Sequence, residues 1–311
     1  MDKNLKLVLV VLALSYQSAS AQLVTESFGT GGNAFTMDFV TIGNPGNAAD
    51  TTGAPNPVGS VGYVYNLGMY EVSRDQIDKV NSAGSLGITY ASNSSTVNKP
   101  GTGISWYEAA KYVNWLNTNQ GYQEAYKFVG GTFALWSAGD AGYNANNMFR
   151  NSLAQYVIAS RDEWYKGAYG KADGSWSNFP NGSNSAPTKT AGGTVANTAV
   201  YGGQAGPADI NNAGGLSSYG TMGQGGNVWE LNETAFDGNN DLAGENREIR
   251  GGVWNDSIGF LEASSRSSNN PLNESYINGF RVVSVPEPST GLLVVLGLSG
   301  FLLKRRKTVT V

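Results

Sequence analysis

The chain has 311 residues and a formal net charge of -4, with 40% hydrophobic residues, 14% charged residues and 42 glycines. It contains no Cys and no His, which excludes disulfides, thiol nucleophiles, imidazole bases, Ser-His triads and most zinc, copper and non-haem iron sites. Any site must use carboxylates, amides, hydroxyls, Lys, Arg, aromatic rings and backbone, and without a long basic run before the last residues nucleic acid is not an expected partner.

The N-terminus has the three parts of a secretory signal peptide. Lys3 and Lys6 precede an apolar run from Leu7 to Leu14, and Ala19-Ser-Ala21 fits a small-residue cleavage site. This sets the expected divisions: signal peptide 1–21, one domain 22–285, and a C-terminal signal 286–311. Within the domain, the alternation from Ala34 to Ile42 predicts a strand, and Val61 to Glu71 a second one running into a helix. Three capping boxes mark helix starts: Ser73 with Gln76, Ser105 with Glu108, and Ser160 with Glu163. After Ser105 the apolar residues Trp106, Ala109, Ala110, Val113 and Leu116 recur at helical spacing, which predicts a helix from Trp106 to Thr118. Residues 170–220 are rich in Gly, Asn, Ser, Thr and Ala without periodicity, and read as loops.

Residues 225–233, GGNVWELNE, place two glycines, an Asn, a Trp and two acids together. Glycine allows positive φ and close backbone approach, and Trp brings a large apolar ring. The mix suits a rigid buried loop that wraps a hard cation or plugs a core. Further on, Asp256 and Glu262 are acid and base candidates for a carboxylate enzyme, although two acids in a loop are a weak signal. Seven Trp and sixteen Tyr offer rings for stacking on sugar faces, and most of them are needed to fill a core poor in regular structure.

The tail carries Pro286-Glu-Pro288, an apolar run from Thr290 to Leu303, and the basic cluster Lys304-Arg-Arg-Lys307. The run is shorter than the roughly 20 residues of an ordinary spanning helix. In this order the three parts resemble the PEP-CTERM sorting signal of Gram-negative bacteria. That resemblance implies an exosortase-type processing enzyme as partner and transient anchoring in the inner membrane by a short transmembrane helix. The destination it implies is the cell envelope or extracellular matrix.

The domain itself resembles the formylglycine-generating enzyme, or sulfatase-modifying factor, family. The resemblance rests on Tyr65 to Ser73, on Ile104 to Ala110, and on Ser160 to Trp164. It continues through Tyr219 to Glu230 (YGTMGQGGNVWE), Arg250 to Trp254 (RGGVW) and Gly279-Phe-Arg281. It implies an α+β fold, irregular and loop-rich, related to the C-type lectin fold. Catalytic members carry a cysteine pair and copper, and iron-using relatives carry histidines, so neither a copper nor an iron site is expected here. Val157 and Ala159 also stand where the family has Arg and Pro. The resemblance further implies a structural Ca²⁺ whose ligands would be the Gly226 and Val228 carbonyls and the Glu230 carboxylate. Gly223 departs from the pattern, standing where the family offers Asp or Asn. No catalytic residue is assigned. The expected function is an exported, catalytically degenerate domain that binds or organises extracellular polysaccharide. The alternative is a carboxylate-based or cofactor-using enzyme of the same type acting in the envelope. Trp229 and Trp254 are read as core, and Arg250 and Arg281 as bridges to loop carbonyls or carboxylates such as Glu230.

Overall fold

A computed structural model describes residues 22–285. The expected signal peptide and C-terminal helix lie outside them, and no helix among the described residues is long and apolar enough to cross a membrane.

In chain order, β1 (Leu23–Phe28), β2 (Phe35–Ile42) and β3 (Tyr65–Gly68) lead into α1 (Arg74–Gly84) and α2 (Trp106–Asn119). β4 (Lys127–Val129), β5 (Thr132–Ala134) and β6 (Tyr156–Ile158) precede α3 (Arg161–Tyr169). Then come β7 (Thr188–Lys189), β8 (Thr198–Ala199), β9 (Trp229–Ala235) and β10 (Arg247–Arg250). β11 (Ser267–Asn269), β12 (Asn278–Gly279) and β13 (Val282–Ser284) complete the set. Five strands form one sheet in the order β1-β2-β3-β13-β6, and four form another in the order β11-β10-β9-β12. The helices pack one large core with these sheets, so the fold is mixed α/β with much irregular structure, as the sequence led one to expect.

All three capping boxes form. Ser73, Ser105 and Ser160 each accept from the backbone N–H three residues on, and the side chain at that position reaches back to the cap N–H. α2 ends at Asn119, one residue beyond expectation, and its buried face is wider than the apolar stripe. Asn114 and Asn117 are also buried, because each satisfies backbone groups of a neighbouring segment. Asn114 accepts from the Tyr126 N–H and donates to its carbonyl, and Asn117 does the same for Tyr156. The Trp106 indole donates to the Asn232 carbonyl at 3.0 Å and ties α2 to β9. Ser105→Ala removes the cap acceptor, and a chemical-denaturation curve is expected to show a loss of about 1 kcal/mol.

The strand expected over 61–71 shrinks to Tyr65–Gly68. Before it, the Val61 carbonyl accepts from Gly46, and after it the Met69 carbonyl accepts from Met222, so loops take the groups a longer strand would pair. β1 was not foreseen. It pairs with β2 along its whole length as an edge strand with three exposed residues, too polar to announce itself.

One largely enclosed cation from the loop before β6 joins two elements. Arg150 donates to Glu163 at the start of α3 (2.9 and 2.8 Å) and to Glu233 on β9 (2.8 Å). Both carboxylates are fully buried, and Tyr126 and Asn147 complete the bonding of Glu233.

Candidate functional site

Two layers meet where β9 begins. The outer layer is aromatic. Trp229 opens β9, and its backbone N–H donates to the Ile277 carbonyl, which fixes residues 276–277 alongside it. The Trp254 N–H donates to the Asn227 carbonyl, and the Gly202 and Gln204 N–H groups hold the carbonyls of Asp256 and Trp254. These backbone bonds hold the segments that carry two pairs of rings. Trp229 stands edge-on to Phe260 with centroids 5.8 Å apart, and Trp254 lies 6.2 Å from Tyr276. The two Trp residues are buried, as expected of core, but Phe260 is 44% exposed and Tyr276 59% exposed. Each pair thus sets one exposed ring against a buried Trp.

Asp256 sits among them. Burial pushes its carboxyl above the usual range, while hydrogen bonds from the Val253 backbone and the Trp229 indole hold it back. Glu262, the other acid candidate, is not brought to it: its carboxylate bonds only to Ser264 at 3.4 Å, and its carbonyl faces the Tyr169 hydroxyl.

The inner layer is the GGNVWELNE loop, which is buried throughout. Glu230 is fully buried and pairs with Arg281 through two bonds of 2.6 Å, one to each carboxylate oxygen. The Trp164 indole also donates to Oε2 at 2.6 Å. Arg281 further holds the Gly68 and Met222 carbonyls, so the bridge read from the sequence is present. Arg250 is a bridge as well, to the Ser265 and Ala54 carbonyls, with Glu248 at 2.6 Å, two residues back on the same strand, as its carboxylate in place of Glu230.

A second buried acid, Glu71, was missed in the sequence. Its Oε1 accepts from Asn227 at 2.8 Å, and its Oε2 has no partner. Burial pushes the Glu71 carboxyl up to about 7, with Arg281 opposing that rise and Glu230 adding to it. The same surroundings hold Arg281 charged: burial works against it, but Glu230 and Glu71 outweigh burial. A clue was available, since Glu71 falls in the Tyr65 to Ser73 stretch that carries the family resemblance.

The expected calcium ligands keep some free oxygens. Gly226 and Val228 are buried, and neither carbonyl accepts a backbone hydrogen bond among the described residues. Glu230 Oε1 accepts a single bond, from Arg281, and Glu71 Oε2 accepts none. Two carboxylates face one guanidinium, all free donors are oxygens, and calcium takes oxygens alone. No three Asp, Glu, His or Cys side chains converge on a metal position among the described residues, so such a site would rest on two carboxylates and backbone.

Comparisons with known proteins agree with this architecture. Treponema denticola variable protein 1 superposes with a TM-score of 0.58 at 18% identity, covering 85% of this chain and 99% of that one. CarF gives 0.56 at 18% identity, covering 81% and 99%, and PvdO from Pseudomonas aeruginosa gives 0.54 at 14%, covering 84% and 98%. At these identities the likeness is one of fold. No curated protein matches the chain. The PEP-CTERM protein-sorting motif matches residues 284–307, which implies export, envelope association in Gram-negative bacteria and exosortase-type processing. Residues 38–285 match the sulfatase-modifying factor enzyme 1-like domain, and the chain belongs to that family.

Proposed function

We propose that this domain is a non-catalytic binding module of the cell envelope or matrix, and that its ligand is an extracellular polysaccharide. The observation that carries the reading is the braced aromatic layer. Tyr276 and Phe260 are exposed rings, each held against a buried Trp, Trp254 and Trp229. Sugar rings present apolar C–H faces and polar edges, which suit an aromatic platform flanked by a carboxylate such as Asp256. Support also comes from the absence of Cys and His, which removes the family's copper and iron chemistry, and from the sorting motif.

The test is co-sedimentation of the purified protein with the exopolysaccharide of its producing organism. Saturable binding is expected. Tyr276→Ala is expected to weaken it by about tenfold, the equivalent of one lost stacking contact. Leu153→Ala, at another exposed apolar residue, is expected to leave it unchanged. Absence of binding would remove the reading. Binding indifferent to Tyr276 would move the site, first to the 320 Å³ groove lined by Tyr107, Lys111, Leu272 and Glu274.

One observation bears on a carboxylate enzyme instead: burial raises the Asp256 carboxyl above the usual range, the direction that a general acid requires. Turnover of the bound glycan, lost in Asp256→Asn with binding retained, would establish that second reading.

A further inference from the structure

Three guanidiniums gather around one carboxylate beyond the end of β9. Arg161 opens α3, Arg250 ends β10, and Arg266 immediately precedes β11. Glu248 pairs with all of them, with Arg250 at 2.6 Å and with Arg161 and Arg266 at 2.8 Å each. Among the described residues none of these arginines pairs with a second carboxylate. Asp162 stands close enough to Arg161 to feel its charge, but its carboxylate accepts from the Gly59 N–H at 2.7 Å. Positive charge is therefore in excess. Glu248 and Arg250 are fully buried, while Arg161 and Arg266 keep 13% and 19% of their side chains exposed.

The two outer arginines also keep free donors. Arg161 gives Nε to Glu248 and Nη2 to the Ala235 carbonyl at 3.1 Å, and its Nη1 has no partner among the described residues. Arg266 gives Nη2 to Glu248 and the Phe236 carbonyl, and its Nε is buried without a partner. The Arg266 guanidinium lies 3.9 Å over the Phe236 ring, which holds it in place. Gly238, in the turn after β9, has φ +98, and a Cβ there would lie 3.3 Å from Arg161 Nη1. A bare glycine at this turn leaves that guanidinium uncovered. Burial pushes the Arg266 guanidinium below its usual range, with Glu248 opposing and the charges of Arg161 and Arg250 adding. An excess of enclosed cations favours uptake of an anion, and the planar fork of arginine matches oxyanions.

We propose that Arg161 and Arg266 form an oxyanion subsite that binds the carboxylate or sulfate groups of an acidic polysaccharide. The proposal deepens the glycan reading and rests on it for the polymer. The subsite is separate from the aromatic pairs, because Trp229 opens β9 whereas Phe236 follows its last residue.

Biolayer interferometry of the purified protein on immobilised polygalacturonate, dextran sulfate and unmodified dextran reads the charge preference. The first two arms separate carboxylate from sulfate. At least one acidic polymer is expected to bind at least about tenfold more tightly than dextran, and added salt is expected to weaken it. Arg161→Gln leaves Glu248 paired with Arg250 and Arg266, so it is expected to fold and to bind about tenfold more weakly. Gly238→Asp keeps every arginine and sets a carboxylate beside Arg161, and an equal or larger loss is expected. Lys189→Gln, at an exposed lysine on β7, is expected to change nothing. Failure to bind either acidic polymer, equal binding to dextran, or a folded Arg161→Gln or Gly238→Asp variant with unchanged affinity would each overturn the subsite. Tyr276→Ala separates the two readings. Binding that depends on Arg161 and not on Tyr276 keeps the subsite while the aromatic site falls, and binding lost with Tyr276 alone does the reverse.

Discussion

Arg150→Met is expected to destabilise the protein by on the order of 5 kcal/mol, enough to leave much of it unfolded. The substitution keeps the volume of the side chain but removes the one cation bonded to Glu163 and Glu233, both of which are fully buried. Breaking a buried pair from the cationic side strands the anion, and here two anions are stranded at once. Urea denaturation of the variant measures the loss. The triple variant Arg150→Met, Glu163→Gln, Glu233→Gln carries no stranded charge and is expected to recover most of it. A loss in Arg150→Met near 1 kcal/mol would show that the cluster is solvated in solution.

The same cluster sets an acid limit. Burial alone would raise the Glu163 carboxyl, but the Arg150 charge and its hydrogen bonds outweigh burial and hold it near about 2. A lowered folded-state value stabilises the fold above the unfolded value of about 4.3, and that stability is lost as pH falls toward about 2. Stability is therefore expected to decline between about pH 4.5 and 2, and less steeply in Glu163→Gln, as followed by circular dichroism.

Gly226→Ala is the second large effect, expected to cost about 3 kcal/mol or more. Gly226 has φ +79, and a Cβ there would fall on the Val200 carbonyl oxygen, well inside van der Waals contact. That oxygen accepts from the Asn227 N–H at 2.8 Å, so it cannot retreat without breaking the bond that seats the loop. The left-handed backbone adds about 1–2 kcal/mol for any residue with a Cβ. Gly31→Ala separates the two causes: its φ is +56 with no atom within 4 Å of a Cβ, so only the backbone cost of about 1 kcal/mol is expected there. Equal losses in the two variants would mean that the loop around Val200 yields freely.

The legible parts of this fold were the local ones. A capping box lies within four residues, so Ser73, Ser105 and Ser160 announced their helices. The α2 stripe could be counted, but the burial of Asn114 and Asn117 could not, because it depends on carbonyls and amides at Tyr126 and Tyr156. Glu163 was read only as a cap. It does cap, through a 2.7 Å bond from the Ser160 N–H, but the same carboxylate also carries Arg150, which no local pattern reveals. At the site, the stretch GGNVWELNE showed its rigidity and the pairing of Glu230 with Arg281. Glu71 stayed hidden because the residue that meets it, Asn227, lies 156 positions away in sequence. The aromatic layer was visible only as a surplus of rings, since its members come from 229, 254, 260 and 276.

The place of β13 bears on when the domain can fold. It lies between β3 and β6 in the five-stranded sheet and is the last strand of the described chain. A polypeptide emerging N-terminus first has made β1, β2, β3 and β6 long before residues 282–284 exist. Until then two strands that belong on either side of β13 have no common partner, and Glu230 has no Arg281. The five-stranded sheet is therefore completed, and the Glu230–Arg281 pair made, only by residues 281–284 of the described chain.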